Sequence, residues 1–310
     1  MLDTFQISKT LARSPNLSEL VNNAWKTLVN KHTGELTALY LNSAKGKGEP
    51  RLTLSPDRNG LWIIRGEVSV GSWLHGSNLY LPDTDELHHG LDLLSEYVEM
   101  KSGIVFDAHT ERVSRVDFTR DFQVGENNVI GIIGKFNRLS LAKYKRVCYE
   151  ETSVYFKNSL EKFKLTKQFK IYSKYHERLN NSKDKSEQEK AKGILRLEIL
   201  YQKSAVNRLA KSLKLPNHHA NYILTKETSE KAIQKAMNQL YFDSLLSAET
   251  PTVEKLFDTC GSTEAYKRIG FLYMRDKFGE DFSKLPFVNT SPKTLKRYLN
   301  ECKKAGVLSL

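Results

Sequence analysis

The chain has 310 residues, of which 39% are hydrophobic and 27% charged, so a sizeable core is expected and disorder throughout is excluded. Its longest unbroken apolar runs, such as residues 61–64, are far too short to span a bilayer, and no secretory signal is recognised. Three lone cysteines without CxxC spacing argue against a disulfide framework or a cysteine zinc site, and predict a soluble cytoplasmic protein. Forty-eight lysines and arginines against 36 acids give a net charge of +12, typical of a protein with a polyanionic partner.

The first half of the chain has an α+β pattern. Apolar residues at helical spacing predict a helix over residues 17–29, with Asn16 as its cap. Strands are predicted at residues 36–41, 51–54 and 61–70, between Gly, Pro and Asn turns. A helix over 84–100, a strand over 112–124 and a helix over 126–141 complete this half.

The second half begins with a basic segment between Ser140 and Tyr175, in which lysines are interleaved with seven aromatic residues. Such a mixture suits single-stranded nucleic acid, although these aromatics also fit the core of a β-rich segment with strands at 146–157 and 168–174. Residues 180–192 form a charged excursion or an exposed helix. A strand at 194–201 and a helix to residue 213 follow, ended by Pro216.

Beyond about residue 250 the pattern is purely helical, which predicts a first domain over residues 1–250 and a helical region over 251–310. The last segment opens with Ser291 as a helix cap and Pro292 at the first helical position. Its basic face carries Lys293, Lys296 and Arg297. These features predict a DNA-binding helix, such as the second helix of a helix-turn-helix, against the alternative of a basic helix that only aids solubility.

Three predicted strands each carry one apolar and one polar face, because side chains alternate across a strand. The polar faces hold Arg115, Asp117, Thr119 and Asp121; Lys170, Tyr172 and Lys174; and Arg196 and Glu198. If the strands are neighbours, these faces form a cleft in which two carboxylates bind Mg²⁺ or Mn²⁺, cations stabilise a phosphate and Tyr172 attacks phosphorus. The alternative is three half-exposed strands with cross-strand salt bridges.

Several short motifs follow one another along the chain from about residue 50 onward. They are Glu67 on a strand before Gly76-Ser77-Asn78, Arg115-Val116-Asp117, Ile171-Tyr172-Ser173-Lys174, Arg196-Leu197-Glu198, and the C-terminal segment 266–307. Together they resemble the replication initiators of filamentous bacteriophages, the gene-two-type nicking and closing proteins. The His-hydrophobic-His metal motif of the wider rolling-circle superfamily is missing, because His88-His89 and His218-His219 are adjacent pairs. Carboxylates would therefore coordinate the metal.

The resemblance implies a rolling-circle initiator with an antiparallel sheet packed on helices. It implies that one strand of origin DNA is nicked through a 5′-phosphotyrosine on Tyr172, and that the displaced strand is later rejoined. Tyr175 is the alternative nucleophile. Origin DNA, a host helicase and a host polymerase are the implied partners, in the cytoplasm of a bacterial host.

The same resemblance, with the strand faces, suggests roles for the remaining site residues. Asp117 and Glu198, with Glu67, are expected to hold Mg²⁺ or Mn²⁺; Lys174 and Lys170 are expected to lower the phenol's pKa or neutralise the phosphate; Arg115 and Arg196 are expected to contact phosphate or orient the acids. Two other functions explain the charge equally well. One is a non-catalytic DNA-binding replication or regulatory protein, and the other is an RNA-binding module that uses the aromatic strands.

Overall fold

The computed structural model describes residues 2–42, 48–161, 164–247, 262–278 and 291–304. It confirms the predicted α+β class, with a large antiparallel sheet accompanied by helices. Within these ranges, no helix combines the length and apolar character that a membrane span requires.

The described residues contain ten strands, numbered here in chain order. They are β1 (Leu2–Thr10), β2 (Lys26–Val29), β3 (Leu36–Tyr40), β4 (Arg51–Pro56), β5 (Trp62–Ser69), β6 (Arg112–Gln123), β7 (Lys145–Tyr149), β8 (Ser153–Lys157), β9 (Lys167–Ser173) and β10 (Ile194–Gln202). Their order in the sheet is β2-β3-β4-β5-β1-β6-β10-β9-β8-β7. The three strands that carry the predicted polar faces, β6, β10 and β9, are therefore consecutive neighbours, as the cleft hypothesis requires.

The helices of the described residues are also numbered in chain order. They are α1 (Leu17–Asn23), α2 (Val70–His75), α3 (Thr84–Ser102), α4 (Glu126–Asn137), α5 (Lys174–Asn181), α6 (Lys185–Lys190), α7 (Ser204–Ser212), α8 (Ala220–Ile223), α9 (Lys226–Gln239), α10 (Phe242–Ser247), α11 (Ser262–Phe278) and α12 (Pro292–Lys304).

The chain divides into two compact units. The first unit comprises Met1–Arg120, Glu161–Phe169 and Glu198–Gln234, and the second comprises Asp121–Leu160, Lys170–Leu197 and Lys235–Leu310. Strands β6, β9 and β10 contribute residues to both. The domain boundary predicted near residue 250 lies outside the described residues and stays a prediction.

The core of the first unit is built around β1, which pairs antiparallel with both β5 and β6. Phe5 and Ile7 of this strand are fully buried. On β5, a Cβ added at Gly66 would lie 3.0 Å from Leu94 Cδ1, so α3 packs directly against the strand. Helix α3 is fixed at its start by a capping box, in which the Asp83 side chain accepts from a backbone N–H of the first turn.

The core of the second unit lies between α4, α10 and the hairpin of β7 and β8. The Phe242 ring lies 4.9 Å from that of Phe136 and 4.6 Å from that of Phe122, measured between centroids. Val154 and Phe156 of β8 are fully buried. Burial of these apolar side chains supplies the main stabilising free energy of this unit.

Several predicted elements need correction. The central strand β1 was not predicted. The helix predicted over 17–29 ends at Asn23, because the backbone becomes extended at Ala24 and Lys26–Val29 pairs with β3. The strand predicted over 146–157 is a hairpin whose turn contains Glu150 at a φ of 50°. The helix predicted over 126–141 ends at Asn137.

Candidate functional site

In the first unit, acidic side chains from β5 and β6 meet at Arg115, together with Glu198 of β10; we call these four residues the carboxylate cluster. The Arg115 guanidinium donates to both carboxylate oxygens of Asp117, at 3.0 Å from Nε and 2.6 Å from Nη2. Its Nη1 donates to Glu67 Oε1 at 3.2 Å. Asp117 is only 2% exposed. The structure thus brings together the Arg-hydrophobic-Asp motif and the predicted Glu67.

Arg115 is the cation of this cluster and lies among its carboxylates. Burial alone would lower the pKa of Arg115, but the hydrogen bonds and charge of Asp117, with the charges of Glu67 and Glu198, outweigh burial and raise it. Arg115 therefore stays protonated at any physiological pH. That Glu198 contributes to this pKa fits the prediction that its carboxylate and Arg115 share one side of the sheet.

The predicted metal ligands are arranged around an arginine. Both Asp117 oxygens accept from Arg115, and the second Glu67 oxygen accepts from Gln6 Nε2 at 3.2 Å. Among the described residues, no three His, Cys, Asp or Glu side chains are grouped so that they could hold a metal ion. In this arrangement the cluster does not fit a divalent cation, which would require Arg115 to release Asp117.

In the second unit, the chain changes from strand β9 to helix α5 beside Tyr172; we call Tyr172, Lys174, Glu177 and Arg178 the lysine cluster. Ser173 is the N-cap of α5, with its hydroxyl accepting from the His176 backbone N–H at 3.4 Å. This change of direction buries Lys174 completely. The Lys174 Nζ lies 3.0 Å from Glu177 Oε2 and 5.9 Å from the centroid of the Tyr172 ring.

Burial and charge make Lys174 an unusual lysine. Burial, the charge of Arg196 and the charge of Arg178 lower its pKa to about 8, against the opposing effect of Glu177. Burial would raise the pKa of Glu177, but hydrogen bonds from Arg178 and the charge of Lys174 lower it to about 2. Near neutral pH, Glu177 is thus ionised and Lys174 loses its proton more readily than a solvated lysine does.

Arg196 lies close to the lysine cluster and is held by Asp121 of β6. Its Nε and Nη2 donate to the two Asp121 oxygens at 2.6 and 2.7 Å, and its side chain is fully buried. The pair confirms that the predicted polar faces of β6 and β10 coincide in this unit too. A direct contact between Arg196 and phosphate stays a prediction, because the observed guanidinium faces Asp121.

The remaining predicted site residues differ in exposure. Tyr172 is 8% exposed, so only a small part of it meets solvent, and Lys170 is half-buried. The alternative nucleophile Tyr175 is half-buried in the first turn of α5, with Lys192 Nζ 5.6 Å from its ring centroid. The cleft that would unite Tyr172 with Asp117 and Glu198 stays a prediction, because these residues belong to different units.

The predicted C-terminal helix is confirmed as α12. Ser291 Oγ accepts from Thr294 N at 3.2 Å, and α12 packs against α11. Tyr298 and Cys302 are buried, whereas the basic side chains lie on the exposed face: Lys293, Lys296 and Arg297. The helix-turn-helix itself stays a prediction, because the residues between α11 and α12 lie outside those described.

Two residues of the lysine cluster were not singled out from the sequence. Glu177 accepts from Arg178 Nε and Nη2 at 2.9 and 3.0 Å, besides its contact with Lys174. An acid three residues after a lysine lies beside it only in a helix. The sequence pattern predicted a strand through Lys174, but the strand ends at Ser173 and Lys174 begins α5, so this ion pair could not be predicted.

No protein-family model matches the sequence, and a search of curated proteins finds no match. Among solved structures, the chain is similar to the di-domain ARO/CYC BexL from the BE-7585A biosynthetic pathway, with a TM-score of 0.25 and 11% identity. The similarity covers 72% of this chain and 79% of that chain. At this TM-score it carries no argument about fold or function.

Proposed function

We propose that the protein nicks and rejoins one strand of DNA, with Tyr172 as the nucleophile, as an initiator of rolling-circle replication. The observation that carries the proposal is the cationic setting of this tyrosine. A fully buried lysine lies beside its ring, with Arg196 and Arg178 close to that lysine. Buried cations are costly unless they are paired or stabilise negative charge. Here Lys174 is paired with Glu177 and Arg196 with Asp121, so these cations are held in place near Tyr172, where a phosphate that gains charge during transfer would meet them.

The proposed reaction exchanges one phosphodiester for another. The Tyr172 phenolic oxygen bonds to phosphorus and loses its proton, the bond from phosphorus to the 3′-oxygen breaks, and the released 3′-oxygen takes up one proton to become a 3′-hydroxyl. Attack by a later 3′-hydroxyl reverses these steps and joins the strand without ATP. Lys174 and Lys170 favour the phenolate or neutralise the phosphate electrostatically. Tyr172 is buried, at 8% exposed, so the reaction requires its phenolic oxygen to be accessible to the strand.

The carboxylate cluster of the first unit is proposed as the metal-binding part of the protein. Asp117 and Glu198, with Glu67, are the candidates for holding Mg²⁺ or Mn²⁺, a role that requires Arg115 to release Asp117. The attack by Tyr172 and the later rejoining are described without the metal. Adding EDTA tests this part: loss of cleavage that Mg²⁺ or Mn²⁺ restores supports a metal, whereas cleavage undiminished by EDTA excludes one.

The experiment is covalent capture on denaturing gels. The protein is incubated with supercoiled plasmid and with a pool of labelled single-stranded oligonucleotides that contain a randomised segment, so the cleavage sequence need not be known. We expect a labelled protein band, which the Tyr172→Phe variant abolishes. Tyr175→Phe is the matched control and should keep the band. Adduct formation by Tyr172→Phe at the wild-type level would overturn the assignment.

A non-catalytic DNA-binding protein is the second candidate, favoured by the exposed basic face of α12. It predicts that Lys293→Gln and Lys296→Gln weaken duplex binding while no covalent adduct forms with any DNA. For the initiator function, origin DNA, a host helicase and polymerase, and the bacterial cytoplasm remain the proposed partners and location.

A further inference from the structure

The hairpin of β7 and β8 presents a basic and aromatic face on one side of the sheet; we call it the hairpin face. In the antiparallel register, Lys145 lies opposite Lys157, Val147 opposite Tyr155, and Tyr149 opposite Ser153. Because alternate residues share a face, these six side chains point to the same side. Lys145 is exposed, and Tyr149 is 46% exposed.

On the opposite face of the hairpin, β8 is packed into the second unit, whereas Arg146 and Cys148 of β7 are exposed. Val154 and Phe156 are fully buried there, and Arg146 Nη1 donates to the Leu139 carbonyl oxygen at 3.2 Å. Cys148 contacts the Asn137 side chain at the end of α4. The buried contribution of β8 to this core thus comes from Val154 and Phe156, on the face opposite the two tyrosines.

The two tyrosines of the hairpin face are arranged as a pair under a lysine. Their ring centroids lie 4.8 Å apart at an interplanar angle of 58°. Lys157 Nζ lies 5.5 Å from the Tyr149 centroid and 5.6 Å from the Tyr155 centroid, and donates to Tyr149 Oη at 3.0 Å. The contacts hold a cation and aromatic surface together at the sheet edge.

The hairpin face continues to the proposed nucleophile within the second unit. Ser173 N donates to the Thr152 carbonyl oxygen at 3.0 Å, which sets these two residues opposite each other. If β8 and β9 pair antiparallel without a bulge, this bond would place Ser153 beside Tyr172, and Tyr155 beside Lys170. In that register the aromatic pair, Lys170 and Tyr172 would follow one another on one face.

We propose that the hairpin face binds single-stranded DNA, with a base stacked on Tyr149 and Tyr155 and the backbone following Lys145, Lys157 and Lys170 toward Tyr172. An unpaired base offers the flat surface that tyrosine stacks on, whereas a duplex hides its bases inside. The turn bears the exposed acids Glu150 and Glu151, so the basic surface ends there. The direction toward Tyr172 rests on the proposed function; the binding itself does not.

The test is fluorescence anisotropy with labelled 20-nucleotide oligo(dT) and a 20-base-pair duplex. It is run on the full chain carrying Tyr172→Phe, so that cleavage does not interfere. We expect Tyr149→Ala to weaken oligo(dT) binding about 5-fold or more, with a smaller effect on the duplex, and Tyr149→Phe to bind like the parent. The matched control is Tyr80→Ala, which removes a 45% exposed tyrosine of the first unit.

The backbone contact is tested separately with Lys157→Gln. Removing this lysine charge should reduce the slope of log Kd against log salt concentration by about 0.7, the value for one phosphate contact to a single strand. Oligo(dT) binding unchanged in Tyr149→Ala, or lost equally for duplex and single strand, overturns the inference. If the wild type forms an adduct on Tyr172 but Tyr149→Ala binds oligo(dT) normally, the hairpin-face inference is wrong and the proposed function is not. If oligo(dT) binding depends on the Tyr149 ring but no adduct forms, the hairpin-face inference holds and the proposed function is wrong.

Discussion

Replacing Lys174 with Met tests the buried charge beside Tyr172. The Lys174 side chain is fully buried, and its ammonium is surrounded by Tyr172, Glu177, Arg178 and, on β10, Arg196. Methionine keeps much of the volume of the lysine stem but carries no charge. The variant should therefore differ from the wild type mainly in how stability depends on pH.

The size of the effect follows from the pKa of Lys174, which is 10.5 in an unperturbed lysine and about 8 here. Between these two values the unfolded chain binds more protons than the folded chain, so stability rises with pH. This linkage lowers wild-type stability by about 3 kcal/mol at pH 7 and by about 1.4 kcal/mol at pH 9.5. Lys174→Met lacks this titration, so its free energy of unfolding relative to the wild type should fall by about 2 kcal/mol as the pH rises from 7 to 9.5.

The assay is urea unfolding at pH 7 and pH 9.5 for the wild type, Lys174→Met and the control Lys211→Met. Lys211 is exposed on α7, so its replacement should shift stability little at either pH. Groups that titrate in all three proteins cancel in the differences. Parallel stability curves for the wild type and Lys174→Met would refute the argument that Lys174 is buried with a lowered pKa.

Three further predictions concern single contacts. Arg196→Leu should lower the free energy of unfolding by about 3 kcal/mol, because it leaves the partly buried Asp121 carboxylate without its arginine. In a double-mutant cycle measured by urea unfolding, adding Asp121→Leu should recover part of this loss, whereas additive losses would contradict a direct pair. Glu177→Gln should move the pKa of Lys174 below about 8, because the charge and hydrogen bond of Glu177 raise that pKa. NMR titration of ¹³C-labelled lysine measures the pKa, and an unchanged value would refute the contact. Asp83→Ala should cost about 1 kcal/mol by removing the cap of α3, seen as a lower Tm, whereas an unchanged Tm would deny the cap a role.

Periodicity predicted the elements in which a single pattern dominates. Helix α3 has sustained helical spacing that ends at Gly103, and β6 alternates over Arg115–Phe118 and is followed by Gly125. The segment 17–29 failed because its apolar spacing fits a helix while the pairing of Lys26–Val29 with β3 decides the structure of its second half. Pairing partners are tertiary information, which a local pattern does not contain.

The polar strand faces were predictable, but their detailed partners were not. Alternation placed Arg115 with Asp117 and Arg196 with Glu198, and the sheet order makes their strands neighbours. The same alternation did not reveal that Arg196 pairs with Asp121, or that the chain turns into a helix at Ser173. Which acid an arginine selects depends on strand register and side-chain length, and these are fixed only in three dimensions.

The central claim is that Tyr172 becomes covalently bound to DNA. The most direct measurement is tandem mass spectrometry of the protease-resistant peptide that remains on oligonucleotides after covalent capture. The account predicts a phosphonucleotide on Tyr172, within the peptide that ends β9. Modification at Tyr175 or another residue, or cut DNA that carries no peptide, would contradict it.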